Sequence, residues 1–317
     1  MRVVFLGSPP FATPILRRLL ESHHEVLGLV TPPDRPRGRG RGVSRTELAA
    51  LADEAGLPVL QPTTTKDASF VEALATFSAD ALMVASYGEI LRAEVLELCP
   101  HGALNVHGSL LPRWRGASPI QRAVAAGDAE TGVSIQRMVL ALDAGDVLLT
   151  RSTPIGPAET SADLFERLAS MGADAAVESL DLIERGEAVF TPQDPDLVTL
   201  APKLSKGDGL IDFHLPPEAI ARHVRAMTTW PGARTRLPDG RDLVVLEAAP
   251  TEVPAEASTA GADPSTPPGT VLEGRGLLVK TEGGAVRLRR LKPAGKGAMD
   301  DTAFLNGARL APGEQLG

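Results

Sequence analysis

Two short runs of unbroken apolar residues, 3–6 (Val-Val-Phe-Leu) and 81–85 (Ala-Leu-Met-Val-Ala), restrict the fold most. Neither alternates apolar with polar, so neither suits a strand with one wet face. A continuous run of four or five suits a strand covered on both sides, as in a parallel sheet between helical layers. The neighbouring patterns agree. Phe11, Ile15 and Leu19 recur every four residues, as on one helix face, and residues 26–30 form a second strand. Ser8-Pro9-Pro10 can open that helix, with Ser8 as cap and a proline in the first turn. The result is a β-α-β opening, and hence an α/β fold with a doubly wound, Rossmann-like sheet. Gly7 is followed by Ser, Pro and Pro rather than further glycines, which discounts a dinucleotide site.

The stretch from 105 to 116 breaks this regularity: Asn105-Val106-His107-Gly108-Ser109-Leu110-Leu111-Pro112-Arg113-Trp114-Arg115-Gly116. On a strand, side chains two apart share a face, so Asn105 and His107 project together at the strand's end. Gly108 frees the backbone and Pro112 blocks a regular ladder. An amide and an imidazole before an irregular loop can form a catalytic edge. Taken alone, Asn-x-His equally describes a surface strand end with a turn histidine. A second loop, Ser86 to Leu91, follows the 81–85 strand, and ligands of open α/β sheets bind at such C-terminal ends.

Composition bounds the alternatives. At 317 residues, one or two domains are expected, two being favoured. Hydrophobic content of 43% suits a soluble globular chain, and no apolar run approaches the roughly 20 residues that cross a bilayer. No export signal is evident, so the cytoplasm is the expected location. A single cysteine, Cys99, excludes an intramolecular disulfide framework and a cysteine-based zinc site. The net charge of −8 gives no global attraction to nucleic acid, so any such attraction must be local.

Local basic patches exist. Arg35, Arg37, Arg39 and Arg41 alternate with Pro and Gly in an exposed loop, either simply solvated or suited to phosphates. Ser44-Arg45-Thr46-Glu47 reads as a capping box for a helix ending near Gly56. Further helices are expected at 93–98, at 120–126 and, long, at 161–185, with strands at 131–139 and 147–155 around the Asp143-Ala144-Gly145 turn. Residues 190–208, proline-broken, read as a linker carrying Lys203 and Lys206. The expected domains are therefore 1–189, then this linker, then 209–317. The last segment has one helix near 217–227 and several short strands with glycine turns, a small OB-like β-barrel. Residues 250–268, rich in Ala, Pro, Ser and Thr, read as a low-complexity loop. The last strand carries Arg287, Arg289 and Arg290, with no acid between 283 and 298, which describes a phosphate contact and a merely solvated strand equally well.

Several motifs together resemble the 10-formyltetrahydrofolate-dependent formyltransferases. They are Asn105-x-His107, the run Ser109-Leu-Leu-Pro112 and Asp143 in Asp-Ala-Gly. To these are added Thr31-Pro-Pro-Asp34-Arg35-Pro36-x-Gly38-Arg39-Gly40, Gly127-Asp-Ala-Glu-Thr-Gly132 and Lys203-Leu-Ser-Lys206. The motifs run from Gly7 to Lys206, and the C-terminal segment fits in length and type. The long stretch near 252–268 is more extended than the family pattern. The resemblance implies transfer of a formyl group from 10-formyltetrahydrofolate, the co-substrate, to the α-amino group of methionyl initiator tRNA. The implied alternative is a small amine acceptor such as glycinamide ribonucleotide or an amino sugar.

The same resemblance raises Asn105, His107 and Asp143 to catalytic residues. Asn105 and a protonated His107 would donate to the tetrahedral oxyanion, and Asp143 would shuttle protons and hold His107 protonated. The pterin would lie against the backbone of Gly88, Glu89, Ile90 and Leu91 and against Ser109, Leu110, Leu111 and Pro112. The tRNA would be held by the arginine loop, by Lys203 and Lys206, and by Arg287, Arg289 and Arg290. The implied chemistry needs no metal, and a monomer is adequate.

Overall fold

The computed structural model describes residues 1–34, 36–37, 42–43, 45–252 and 265–317. The chain divides into two compact units. The first comprises Met1–Pro119, Glu130–Pro154 and Leu164–Pro202, and the second Ile120–Ala129, Ile155–Asp163 and Lys203–Gly317. The division departs from a single cut near residue 189, because two short excursions belong to the second unit.

The first unit opens with β1 (Arg2–Gly7), α1 (Ala12–Leu20) and β2 (Glu25–Val30). Two-residue strands β3 (Pro36–Arg37) and β4 (Gly42–Val43) pair with each other, and α2 (Glu47–Glu54), β5 (Val59–Leu60) and α3 (Ala68–Ala75) follow. Then come β6 (Ala81–Ala85), α4 (Ala93–Leu96) and β7 (Ala103–His107). After α5 (Pro119–Ala126), which lies in the second unit, the sheet is completed by β8 (Glu130–Arg137) and β9 (Val147–Pro154). Helix α6 (Ser161–Glu184) starts in the second unit and runs on in the first.

The strand order is β5-β2-β1-β6-β7-β8-β9. It is parallel from β5 to β7, and β8 turns antiparallel to β7. All five residues of β6 are buried, as its unbroken apolar run requires. Burying one such Leu, Met or Val side chain contributes about 1.5–3 kcal/mol. Chain order reverses between β1 and β6, and the crevice beyond the carboxyl ends of strands at such a point is where open α/β sheets place ligands. The loops after β1, β6 and β7 all leave the sheet on that side.

Three local readings change. Ser8 does not cap α1: the helix starts at Ala12, and the Ser8 hydroxyl donates instead to the Tyr87 carbonyl at 3.2 Å. The cap of α2 is Thr46, whose hydroxyl accepts the Ala49 N–H at 3.2 Å, rather than Ser44. The helix expected at 93–98 stops at Leu96. The larger change concerns residues 190–202, which are no linker. Thr191 exchanges both backbone hydrogen bonds with Val147, and Arg115 and Ala201 pair backbone to backbone.

The second unit contains α7 (Pro217–Ala226), β10 (Arg234–Arg236), β11 (Asp242–Thr251), β12 (Val271–Leu272), β13 (Leu278–Thr281), β14 (Gly284–Pro293), β15 (Met299–Asp300) and α8 (Asp301–Gly307). Its antiparallel sheet runs β10-β11-β14-β13-β12, with β15 added on β14. This strand-rich unit is consistent with an OB-like barrel. Most of the 250–268 stretch, residues 253–264, lies outside the described residues. Among those described, no helix is long and apolar enough to cross a membrane.

Candidate active site

The parallel ladder sets Asn105 beside Val84 of β6, and β8 sets Gln136 opposite Asn105 and Ser134 opposite His107. Asn105 is half-buried, and its side-chain amide hydrogen-bonds to no described residue. His107 is buried. Its Nε2 lies 2.9 Å from the Trp114 carbonyl oxygen. A carbonyl only accepts, so Nε2 carries a hydrogen, and Nδ1 is left as the proton-exchanging nitrogen. Nδ1 faces Asp143 Oδ2 at 3.7 Å.

The loop after β7 is tied down by short polar contacts. The Ser109 hydroxyl donates to the Arg113 carbonyl at 2.6 Å. The Ser134 hydroxyl donates to the Ser109 carbonyl at 2.7 Å and accepts the Leu111 N–H at 3.0 Å. Trp114 has a φ of 64°, and its N–H donates to Thr199 Oγ1 at 2.9 Å. The Trp114 carbonyl that orients His107 is thus fixed from a segment more than eighty residues away.

Asp143 also has a left-handed backbone, with φ of 46°. Its Oδ2 accepts the Gly116 N–H at 2.8 Å and its Oδ1 the Gln136 amide at 3.0 Å. Gln193 completes the cluster, donating to the carbonyls of Asp143 at 2.9 Å and Gly145 at 2.7 Å while its Oε1 accepts Arg115 Nε at 3.0 Å. Gln193 Nε2 also lies 3.4 Å from Gln136 Oε1. Donors therefore run in one direction, Arg115 to Gln193 to Gln136 to Asp143, and each amide has one consistent orientation. Gly116, at φ of 121°, has no room for a side chain: a Cβ would sit 2.6 Å from the Ala201 oxygen.

The loop after β6 takes two left-handed steps, at Ser86 (φ 47°) and Gly88 (φ 82°). Tyr87 and Leu91 are buried, with Met138 packed against the same core. Burial, with Glu89 adding to it, pushes the Tyr87 phenol up to about 12. Between them Ile90 is 79% exposed, and in the loop before Asp143 Leu140 and Leu142 are 69% and 68% exposed. Apolar side chains held open beside an irregular backbone suit a flat heteroaromatic ring such as a pterin. In the second segment expected to meet the folate, Ser109 and Leu111 are buried and their backbone groups are engaged by Ser134, which leaves Leu110 and Pro112 half-buried at the edge.

Of the basic candidates, Arg35, Arg39 and Arg41 lie outside the described residues, as does the side chain of Arg37, whose backbone forms part of β3. Lys203 and Lys206 are exposed. Arg287 is taken by Asp301 in a two-pronged ion pair, at 2.6 and 3.1 Å, and Arg289 reaches Glu247 at 3.5 Å. The acid-free run of the sequence is thus met by acids from β11 and α8. Arg290 is exposed beside them. Gln136, Gln193, Ser134 and Thr199 went unread in the sequence. The only signal was the alternation of Ser134 and Gln136 with Val133 and Ile135 in β8.

An amide and a histidine–aspartate pair thus stand together at the carboxyl edge of a doubly wound sheet, and a strand-rich unit follows in the chain. The chain belongs to the formyl transferase family: its residues 1–180 match the formyl transferase model and residues 203–309 the formyl transferase C-terminal domain. It is 46% identical over 315 residues to a methionyl-tRNA formyltransferase of Anaeromyxobacter dehalogenans, covering 98% of this chain and 97% of that one. A second methionyl-tRNA formyltransferase, of Geotalea uraniireducens, is 40% identical over 318 residues, covering 100% and 98%. Among solved structures, an N-formyltransferase from Helicobacter canadensis, in complex with folinic acid and dTDP-3-aminofucose, shares the fold. Its TM-score is 0.63 at 14% identity, over 90% of this chain and 97% of that one.

Proposed function

We propose that the chain transfers the formyl group of 10-formyltetrahydrofolate to the α-amino group of methionyl initiator tRNA. The observation that carries the chemistry is the His107–Asp143 pair, 3.7 Å apart, next to the uncommitted Asn105 amide at the sheet's carboxyl edge. The folate supplies the activated formyl carbon. As the amine attacks, a C–N bond forms and a tetrahedral oxyanion develops, which the Asn105 amide N–H stabilises. The amine must lose a proton, and folate N10 must gain one as its C–N bond breaks. Asp143 and His107 Nδ1 carry that proton, and a positioned pair of this kind typically contributes about 10²–10⁴ in rate. His107 Nε2–H is occupied by the Trp114 carbonyl. A second oxyanion donor from a protonated His107 would therefore be Nδ1–H.

Gly88 to Leu91 and the Leu110–Pro112 edge receive the pterin. The tRNA is gripped by Arg35, Arg37, Arg39 and Arg41, by Lys203 and Lys206, and by Arg289 and Arg290, through phosphate and shape rather than base sequence. The part of the chain up to residue 202 acts as the catalytic part and 209–317 as the tRNA-binding part of a cytoplasmic monomer. A charged initiator tRNA is favoured over a small amine because the 40–46% relatives that match end to end carry that name, whereas the amino-sugar likeness is one of fold.

The test is formyl transfer by wild type, Asp143→Asn and Arg39→Ala. Asp143→Asn should lose at least about 10² in kcat while still binding tRNA. Arg39→Ala should lose activity through tRNA use. A wild type that ignores methionyl-tRNA but formylates glycinamide ribonucleotide or an amino sugar would overturn the acceptor and keep the chemistry.

A further inference from the structure

The turn between α1 and β2 carries two adjacent histidines, His23 and His24, and the last turn of α6 carries Asp181 and Glu184, three apart and so on one helix face. These four side chains converge within the first unit. His23 Nε2 lies 3.3 Å from Asp181 Oδ1 and 3.2 Å from Glu184 Oε2, and His24 Nε2 lies 3.0 Å from Asp181 Oδ1. One donor atom from each residue falls within 4.8 Å of all the others.

A second observation points to a ligand. The His24 side chain is fully buried, and neither its Nε2 nor Asp181 Oδ1 has a hydrogen-bond partner. At 3.0 Å the two atoms are close but not aligned to bond each other. Both point into the same small space, and buried polar atoms left in this way need an explanation. A cation between them satisfies both at once. The amino group of Met1 bonds Glu184 Oε1 at 2.6 Å and lies 3.1 Å from His24 Nδ1.

We propose that His23, His24, Asp181 and Glu184 form a four-ligand site for a divalent transition-metal cation of the zinc class. Two imidazoles and two carboxylates are zinc-type donors, and bonds of about 2.0–2.1 Å in a tetrahedron give edges of about 3.3 Å, close to the separations observed. Four protein ligands leave no open position, so the site is structural: it clasps the α1–β2 turn to the end of α6. It lies outside the residues assigned to formyl transfer and does not depend on that assignment.

The test uses the full chain stripped with a chelator and titrated with Co²⁺, then Zn²⁺. Wild type should bind one equivalent of Co²⁺ with the intense visible bands of a tetrahedral site, lose them to Zn²⁺, and melt at a higher temperature with Zn²⁺ bound. His24→Gln and Asp181→Asn should each weaken binding at least about tenfold. Because His24 is buried and its variant can fail to fold, His23→Gln, at an exposed position, is the second variant and should show the same weakening. His214→Gln, an exposed histidine elsewhere, should change nothing. Absence of a bound equivalent, a pale octahedral spectrum, or binding unchanged by His23→Gln would each overturn the proposal.

Discussion

The side-chain amide of Gln193 donates to the backbone carbonyl of Asp143 at 2.9 Å, across fifty residues of sequence. The same group reaches the Gly145 carbonyl at 2.7 Å. The turn that carries Asp143, the proposed catalytic carboxylate, in a left-handed backbone is therefore braced from outside, by a segment that the sequence presents as a linker.

That brace is testable. Gln193→Ala leaves two turn carbonyls without their donor, which should lower unfolding free energy by about 1–3 kcal/mol. Misplacing Asp143 should lower kcat by up to about 10². KM for the tRNA should barely move, since Gln193 is remote in role from the basic patches. Steady-state kinetics beside urea unfolding measure both, and full activity in the variant would remove Gln193 from the site.

Gly116 offers a second test. Its N–H is a hydrogen-bond donor to Asp143, and its φ of 121° and the Ala201 oxygen exclude a Cβ. Gly116→Ala should cost about 1–3 kcal/mol in backbone strain and shift the carboxylate. Loss of both stability and turnover is expected. Loss of neither would mean that the loop can relax away from residue 201.

Arg287 and Arg290 sit three apart on β14 and should behave differently. Asp301 is buried, so Arg287→Ala leaves an unpaired charge and should destabilise the second unit by about 3 kcal/mol. That is the low end for a buried pair, because Arg287 is one-third open to solvent. Arg290→Ala should leave melting unchanged and weaken tRNA binding, reducing the salt dependence by about one charge. Binding isotherms at two salt concentrations separate the cases, and the reverse assignment would show as a melting loss in Arg290→Ala alone.

The stability of the second unit should fall on mild acidification. His223 on α7 is pushed below the usual histidine range by burial, with Arg122 acting the same way and a hydrogen bond involving Gly209 and the charge of Asp208 opposing. The unfolded chain therefore binds this proton at a higher pH than the folded one. Stability from His223 is complete above about 6.5 and declines as pH falls below that value. His223→Gln should flatten the slope of unfolding free energy between pH 7 and 5 without abolishing it. An unchanged slope would place the proton elsewhere.

The parallel core and the edge strand were legible because their signals are local. An unbroken apolar run such as 81–85 has few alternatives to a doubly covered strand, and the period of two that puts Asn105 beside His107 holds for any strand. The long α6 was legible from its stripe, and its end at Glu184 lies one residue from the expected Arg185. Ser8 and Ser44 misled because a serine before a helix pattern is a cap only if no competing acceptor or better-placed hydroxyl exists. For Ser8 the competitor is Tyr87, nearly eighty residues away, and for the second helix it is Thr46, two residues on.

By itself the sequence determined the layered α/β architecture, the strand-rich second part and the resemblance to the family. All of these follow from periodicity or from motifs spanning a few neighbouring positions. Only the tertiary structure decided which nitrogen of His107 faces Asp143, that Gln193 and Thr199 hold the two turns in place, and that Arg287 is spent on Asp301. Those outcomes depend on which groups meet across fifty or eighty residues once the backbone has closed. Hydrogen-bond direction and charge pairing are short-ranged, so they act only after the fold has brought the partners within about 3 Å.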